Sequence, residues 1–320
     1  MFRTLILALS VLSPPCLKPW LLRLAGARVG RHVRVGWLAG VFGSSIDLGD
    51  FSAIRTLTLI RVDGDVRIGA YAVVSSMTLV YGAGSFYVGE QSYVGPQSLI
   101  NADEDVRIGR HSAIGARAVV YTHGSFLPYT EGYWVSFGPV TIGDHVWCAA
   151  GVFIRPGVTV GDRAFVNSRS VVTNDVGEGE VVEGYPARVV TTTDRLKRAM
   201  TPERLETAAW RMIEHFGEVV VKRRWRANVD VHVRSLAFSL RRRRYLVACV
   251  GSGSPLPAPT ELRGTSVIAL VTASSSLQSP PPGVMVFDLR TGVTKRHRDK
   301  VFRELDTFLR RYYGVQFRYD

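Results

Sequence analysis

Aliphatic residues recur every six positions, a period that does not fit a helix. From Val140 the beat runs without a slip as V-T-I-G-D-H, V-W-C-A-A-G, V-F-I-R-P-G, V-T-V-G-D-R, A-F-V-N-S-R and S-V-V-T-N-D. Upstream, Ile46, Val66, Phe86 and Val106 open the same unit at intervals of 20 residues. Each of these blocks is three hexads plus two residues (Gly64-Asp65, Gly84-Ser85, Glu104-Asp105), which reads as a three-sided turn with a small bulge at one corner. Such units stack into a solenoid because no single one buries its own aliphatic face. The first and third positions of a hexad point inward. The fourth is often Gly, which tolerates a sharp corner that a side chain would obstruct.

The repeat starts at Val29-Gly30 and is expected to end near Asp175, within a mainly β parallel solenoid domain over 27–190. Residues 1–26 precede it. Their apolar stretches Leu5–Leu12 and Trp20–Leu24 are divided by Pro14, Pro15 and Pro19, too short to span a bilayer and without a small-x-small cleavage site. A short helical cap over the open end of the coil is the favoured reading, and a segment resting on a membrane is the other. Beyond the solenoid the beat vanishes. Thr201-Pro202-Glu203 starts a helix expected to stop at Gly217. Strands are expected at 230–236, 245–250, 266–272 and 284–289, then a helix over 301–312 ending at Gly314, which makes 200–320 a small α+β domain.

With 46% apolar residues, global disorder is excluded. Cys16, Cys148 and Cys249 are far apart and belong to no paired motif, which fits a reducing, cytoplasmic setting. The net charge of +13 is concentrated in Lys222-Arg223-Arg224 with Arg226, in Arg241 to Arg244, and in Lys295-Arg296 with Arg298. These runs suit solvated faces or a site for phosphates, an acyl carrier protein or an anionic membrane at the inner membrane face. No recognition helix or finger spacing supports nucleic acid as a partner. No close-spaced ligand set points to a metal.

The beat breaks once, between His123 and Val140, and an insertion between good coils must project outward. Its aromatic residues call for cover by a neighbouring subunit, a ligand or the outer coil face. His123 stands at the junction. An imidazole there can take the proton of an acceptor hydroxyl or amine as it attacks a thioester, with backbone N–H groups meeting the oxyanion. Against this, His111 and His145 hold the same hexad place, so a corner histidine is common in this chain.

Gly138-Pro139-Val140-Thr141-Ile142-Gly143-Asp144-His145-Val146-Trp147, Pro156-Gly157-Val158-Thr159-Val160-Gly161-Asp162, and Ser170 to Asp175 followed by Gly184-Tyr185-Pro186-Ala187-Arg188-Val189 resemble the left-handed β-helix hexapeptide acyltransferases. The sugar and antibiotic O-acetyltransferases and the polysaccharide-biosynthesis acetyltransferases are the nearest in pattern. The resemblance covers about residues 27–190 and implies a left-handed parallel β-helix, a homotrimer, and acetyl-CoA or another acyl-CoA held between neighbouring subunits. It implies His123 as general base and Asn101 as the residue orienting a sugar or related small-molecule acceptor; an Asn supporting a bend is the alternative for the latter. Trp147 matches the tryptophan of the cofactor channel, or packs on the outer face. Ala149, Ala150 and Arg155 would line the pantetheine path, and Thr173 and Arg188 the nucleotide end, where an arginine fork suits phosphate. Asn174 stands where the family often has Lys, and Cys148-Ala149-Ala150 replaces Ile-Gly-Gly. Cys148 reads as an inward hydrophobe. The competing readings are a non-catalytic trimeric scaffold and, among relatives of the fold, a metal-dependent carbonic anhydrase.

Overall fold

A computed structural model describes residues 2–124, 127–251, 264–273, 283–295 and 297–319. Packing divides the chain into two units, Met1–Arg198 and Ala199–Asp320.

In the first unit each coil visits three parallel sheets in turn. The first sheet contains Arg28–Val29, Ile46–Leu48, Val66–Ile68, Phe86–Val88, Val106–Ile108, Val140–Ile142 and Thr159–Val160. The second runs from Arg34–Val35 to Phe165–Val166, and the third from Gly40–Phe42 to Val171–Val172. The register is that of the repeat: Phe86 pairs with both Val66 and Val106. Val66, Phe86, Val106 and Val140 are fully buried in one column of the core, each burial contributing about 1.5–3 kcal/mol. Buried serines at hexad starts satisfy the polar backbone at a corner: Ser92 Oγ donates to the Gly109 carbonyl and Ser112 Oγ to that of Gly143, both at 2.6 Å.

The corner glycine stands where a side chain would be obstructed, as expected, but the left-handed turn itself lies two residues further on. The left-handed backbone falls on the sixth hexad position, with φ of 55° at His111, 58° at His145 and 58° at Arg163. At the fourth position the constraint is the approach of the next coil. A Cβ on Gly69 would lie 2.5 Å from the Glu90 amide nitrogen, which no real side chain tolerates. The glycine makes room for stacking.

The N-terminal segment forms helices Phe2–Leu12 and Lys18–Leu24, whose Ile6, Leu7 and Leu22 join the solenoid core beside Val33, Ala39 and Val41. Lys18 is buried, donates to the carbonyls of Val11 (2.8 Å) and Ala39 (2.9 Å), and has its pKa lowered by that burial. At the other end the coil continues past Asp175. Glu180–Gly184 pairs with Phe165 and Val166, burying Val181 and Val182, and Ala187–Thr192 then closes the second sheet antiparallel.

The second unit is a seven-stranded mixed sheet with helices Pro202–Phe216 and Lys300–Tyr313. Thr201 caps the first helix through the Arg204 amide, and Gly314, at φ 66°, ends the second. Two sequence expectations are corrected. Gly217 keeps helical angles, and the chain runs on as π-type turns to Arg224; a Cβ at Gly217 would meet Leu236 Cδ1 at 2.6 Å, so this glycine serves packing. The strand expected over 230–236 is a hairpin, Val229–His232 and Ser235–Leu240, turning at Arg234 with φ 53°.

Candidate functional site

Each coil passes from the third sheet to the first through one edge of the prism, where the repeat stacks equivalent residues. Leu99-Ile100 pairs with Val119-Val120, those with Phe153-Ile154, and those with Val171-Val172. The residues that follow each pair, Asn101, Tyr121, Arg155 and Thr173, therefore succeed one another down this edge. Two residues further along, Asp103 precedes His123 by one coil.

His123 and Gly124 form a short antiparallel ribbon with Ser136–Phe137 at the base of the projecting loop. The imidazole stacks on Phe137 at 4.5 Å and 21°, and its Nδ1 lies 3.7 Å from Asp103 Oδ2, with both side chains about one third exposed. That separation is within charge reach but longer than a hydrogen bond. Asp103 is itself held: Asn101 Nδ2 donates to the same oxygen at 3.0 Å. Asn101 is 3% exposed, and its Oδ1 accepts from the Thr122 amide (3.4 Å) and hydroxyl (3.2 Å). Its amide thus lies beneath the edge, engaged with Asp103 and with the residue preceding His123. Burial, and then the neighbouring Tyr121 hydroxyl, hold the Tyr81 phenol above its ordinary pKa beside Asn101.

Arg155 and Thr173 continue the His123 edge. The Arg155 guanidinium faces the Trp134 ring of the loop at 5.5 Å, a stacking that leaves the rim N–H groups of the fork for other partners. Thr173 is half-buried, and its hydroxyl accepts from Asn174 Nδ2 at 3.4 Å. Trp147 lies elsewhere, exposed on the outer face of the second sheet and stacked on Phe165 at 4.9 Å. Ala149 is buried and Ala150 exposed at the edge between second and third sheets. Arg188 is exposed on the closing strand of the second sheet, paired with Glu183 in the ladder. A single chain therefore gathers His123, Asn101, Arg155 and Thr173 on one edge and carries Trp147 and Arg188 on the opposite side of the prism.

The repeated histidines are separated by their surroundings. His111 and His145 occupy left-handed corners and stack on each other at 4.8 Å. The pKa of His145 is lowered, first by burial and then by His111. His123 alone of the three lies in the loop ribbon. Of the loop, residues 125 and 126 fall outside the described residues, while Tyr129, Trp134 and Phe137 are exposed. Cys148 is fully buried, with its thiol pushed up to about 12, so it does not act as a nucleophile. Sequence reasoning missed Asp103 and Tyr81 as members of the site. The signal was present, since Asp103 lies 20 residues before His123 and Tyr81 20 before Asn101, one repeat in each case. Among the described residues no group of three or more His, Cys, Asp or Glu is arranged to hold a metal ion.

No protein-family model matches the chain. It is 30% identical over 182 residues to the Escherichia coli (strain K12) protein WcaF, named for colanic acid biosynthesis acetyltransferase activity; the match covers 56% of this chain and 78% of that one. It is 43% identical over 60 residues to the galactoside O-acetyltransferase of the same organism, covering 19% of this chain and only 29% of that relative. A solved structure of AntD, an N-acyltransferase from Bacillus cereus in complex with dTDP-4-amino-4,6-dideoxyglucose and coenzyme A, superposes with a TM-score of 0.40 at 20% identity, covering 58% of this chain and 92% of that one. The family assignment rests on the WcaF match and on the coils themselves. The chain belongs to the left-handed β-helix hexapeptide-repeat acetyltransferases.

Proposed function

We propose that the chain transfers an acetyl group from acetyl-coenzyme A to a hydroxyl or amine of a sugar or related metabolite, with His123 as general base. The observation that carries this reading is the placement of His123: an accessible imidazole at the loop junction, stacked on Phe137, with Asp103 on its Nδ1 side. Asp103 favours the tautomer with the proton on Nδ1, and Nε2 is then the basic nitrogen. His123 removes the acceptor proton as the acceptor oxygen or nitrogen adds to the thioester carbonyl. The imidazolium then returns that proton to the departing sulfur as the carbon–sulfur bond breaks, leaving the protein unchanged. Asn101 is a positioning residue in this scheme, acting through Asp103 and Thr122.

The distribution of the other residues supports assembly into a homotrimer. Trp147 and Arg188 lie away from the His123 edge of their own chain, and in this scheme the donor groove forms where the second-sheet face of one copy meets the His123 edge of the next. Arg155 and Thr173 would face the donor from the His123 side, and Trp147, Ala150 and Arg188 from the other, with the Arg188 fork meeting phosphate; Ala149, being buried, would present only its backbone.

The test is release of free thiol from acetyl-CoA in the presence of a panel of sugars and hydroxylated metabolites. His123→Ala should lose about 10²- to 10⁴-fold in kcat while keeping its assembly mass. Unchanged kcat would remove His123 from the chemistry, and absence of acetyl-CoA binding by the unaltered protein would remove the activity itself.

A further inference from the structure

The two cap helices have an outward face that the fold leaves uncovered. Leu5, Leu9 and Leu12 share one stripe of Phe2–Leu12, and Leu17, the N-cap of Lys18–Leu24, continues into Trp20 and Leu24 as the corresponding stripe of that helix. Each of the six is at least 50% exposed. Capping the coil requires only the opposite stripe, Ile6, Leu7 and Leu22, which is buried. A helix apolar on its outer side as well is made for a second apolar phase.

Charge in the same region indicates which phase. Residues 1–46 contain six Lys and Arg and no acid, the first carboxylate being Asp47. Lys18 is withdrawn into the interior, but Arg3, Arg23, Arg28, Arg31 and Arg34 are exposed. Arg3 and Arg23 are held by backbone carbonyls, which leave their charge uncompensated, and Arg31 pairs with Asp50. Two such caps meeting face to face would oppose arginine to arginine, which disfavours a second copy as occupant. A leucine and tryptophan stripe on two helices that carry no acid of their own, bordered by arginines, matches the headgroup layer of an anionic bilayer, the depth at which tryptophan concentrates. No helix among the described residues is long and apolar enough to cross a membrane, so the contact is one of lying on the surface.

We infer that the N-terminal cap docks this protein on an anionic phospholipid surface, the stripe from Leu5 to Leu24 entering the headgroup layer and the flanking arginines pairing with lipid phosphates. This inference is independent of the acyl-transfer reading, because its test measures no turnover.

Full-length protein would be sedimented with vesicles of phosphatidylcholine containing about 30% phosphatidylglycerol, and with phosphatidylcholine alone. Binding is expected on the anionic vesicles, with about tenfold or greater weakening in Leu9→Ser/Trp20→Ser, two exposed positions whose change leaves the core intact, and in high salt. Arg241→Glu/Arg242→Glu in the second unit should bind as the unaltered protein does. A fluorophore on Cys16, the exposed cysteine of the cap, should shift its emission to the blue on the same vesicles. Failure to bind anionic vesicles, undiminished binding by Leu9→Ser/Trp20→Ser, or a change in assembly mass of that variant, which would mark the stripe as an interface between copies, would each overturn the inference.

Discussion

At the scale of single residues, position in the repeat and chemical environment are separable. His111, His123 and His145 share one hexad place, yet two are ring-stacked corner residues and the third sits in a loop ribbon beside Asp103. If Asp103 orients the imidazole, Asp103→Asn should lower kcat by about 10-fold or more while leaving the donor KM unchanged. An unchanged kcat would mean the 3.7 Å separation has no influence on turnover. The cysteines allow a simple check of the packing. Cys16 is exposed, whereas burial pushes the thiols of Cys148 up to about 12 and of Cys249 up to about 11. A disulfide reagent should therefore titrate one thiol in the native protein and three after denaturation. Rapid modification of Cys148 in the native state would contradict its inward placement.

At the scale of elements, the coils were legible because an inward-facing side chain every second residue and a turn every six leave a regular trace in the sequence. What stack spacing does to the glycines was not legible, since hexad position alone does not say whether a missing Cβ serves a dihedral angle or a close approach. Gly69→Ala tests the distinction. The left-handed corner belongs to Tyr71, so the cost at Gly69 is steric, and a loss of about 1–3 kcal/mol, seen as a lower thermal midpoint, is expected. A neutral result would mean that neighbouring coils separate freely. The site was legible in part. His123 announced itself by the break in the beat, but Asp103 and Tyr81 become visible only when the chain is folded into its 20-residue frame. In the second unit, the hairpin turn at Arg234 carries neither glycine nor proline, and helical Gly217 imitates a stop signal, so both misled a reading from local residue type.

At the scale of the whole molecule, basic residues are distributed over both units and are partly neutralised. Lys222 pairs with Glu218 and Arg224 with Glu304, and Arg296 falls outside the described residues. The hairpin tip at Arg241 and Arg242, by contrast, is exposed. If this unit selects the acceptor, Arg241→Glu/Arg242→Glu should raise the acceptor KM several-fold, with the donor KM unchanged; equal acceptor kinetics would assign the tip to solvation. In the proposed scheme catalysis requires two copies, one supplying His123 and the next supplying Trp147 and Arg188. The direct measurement is coexpression of His123→Ala with Trp147→Ala/Arg188→Ala, each deficient by itself. Random mixing restores about one quarter of the clefts to fully native composition, so activity should return to roughly that fraction of the unaltered enzyme. Mixed assemblies that form yet stay as inactive as their parents would contradict a shared site.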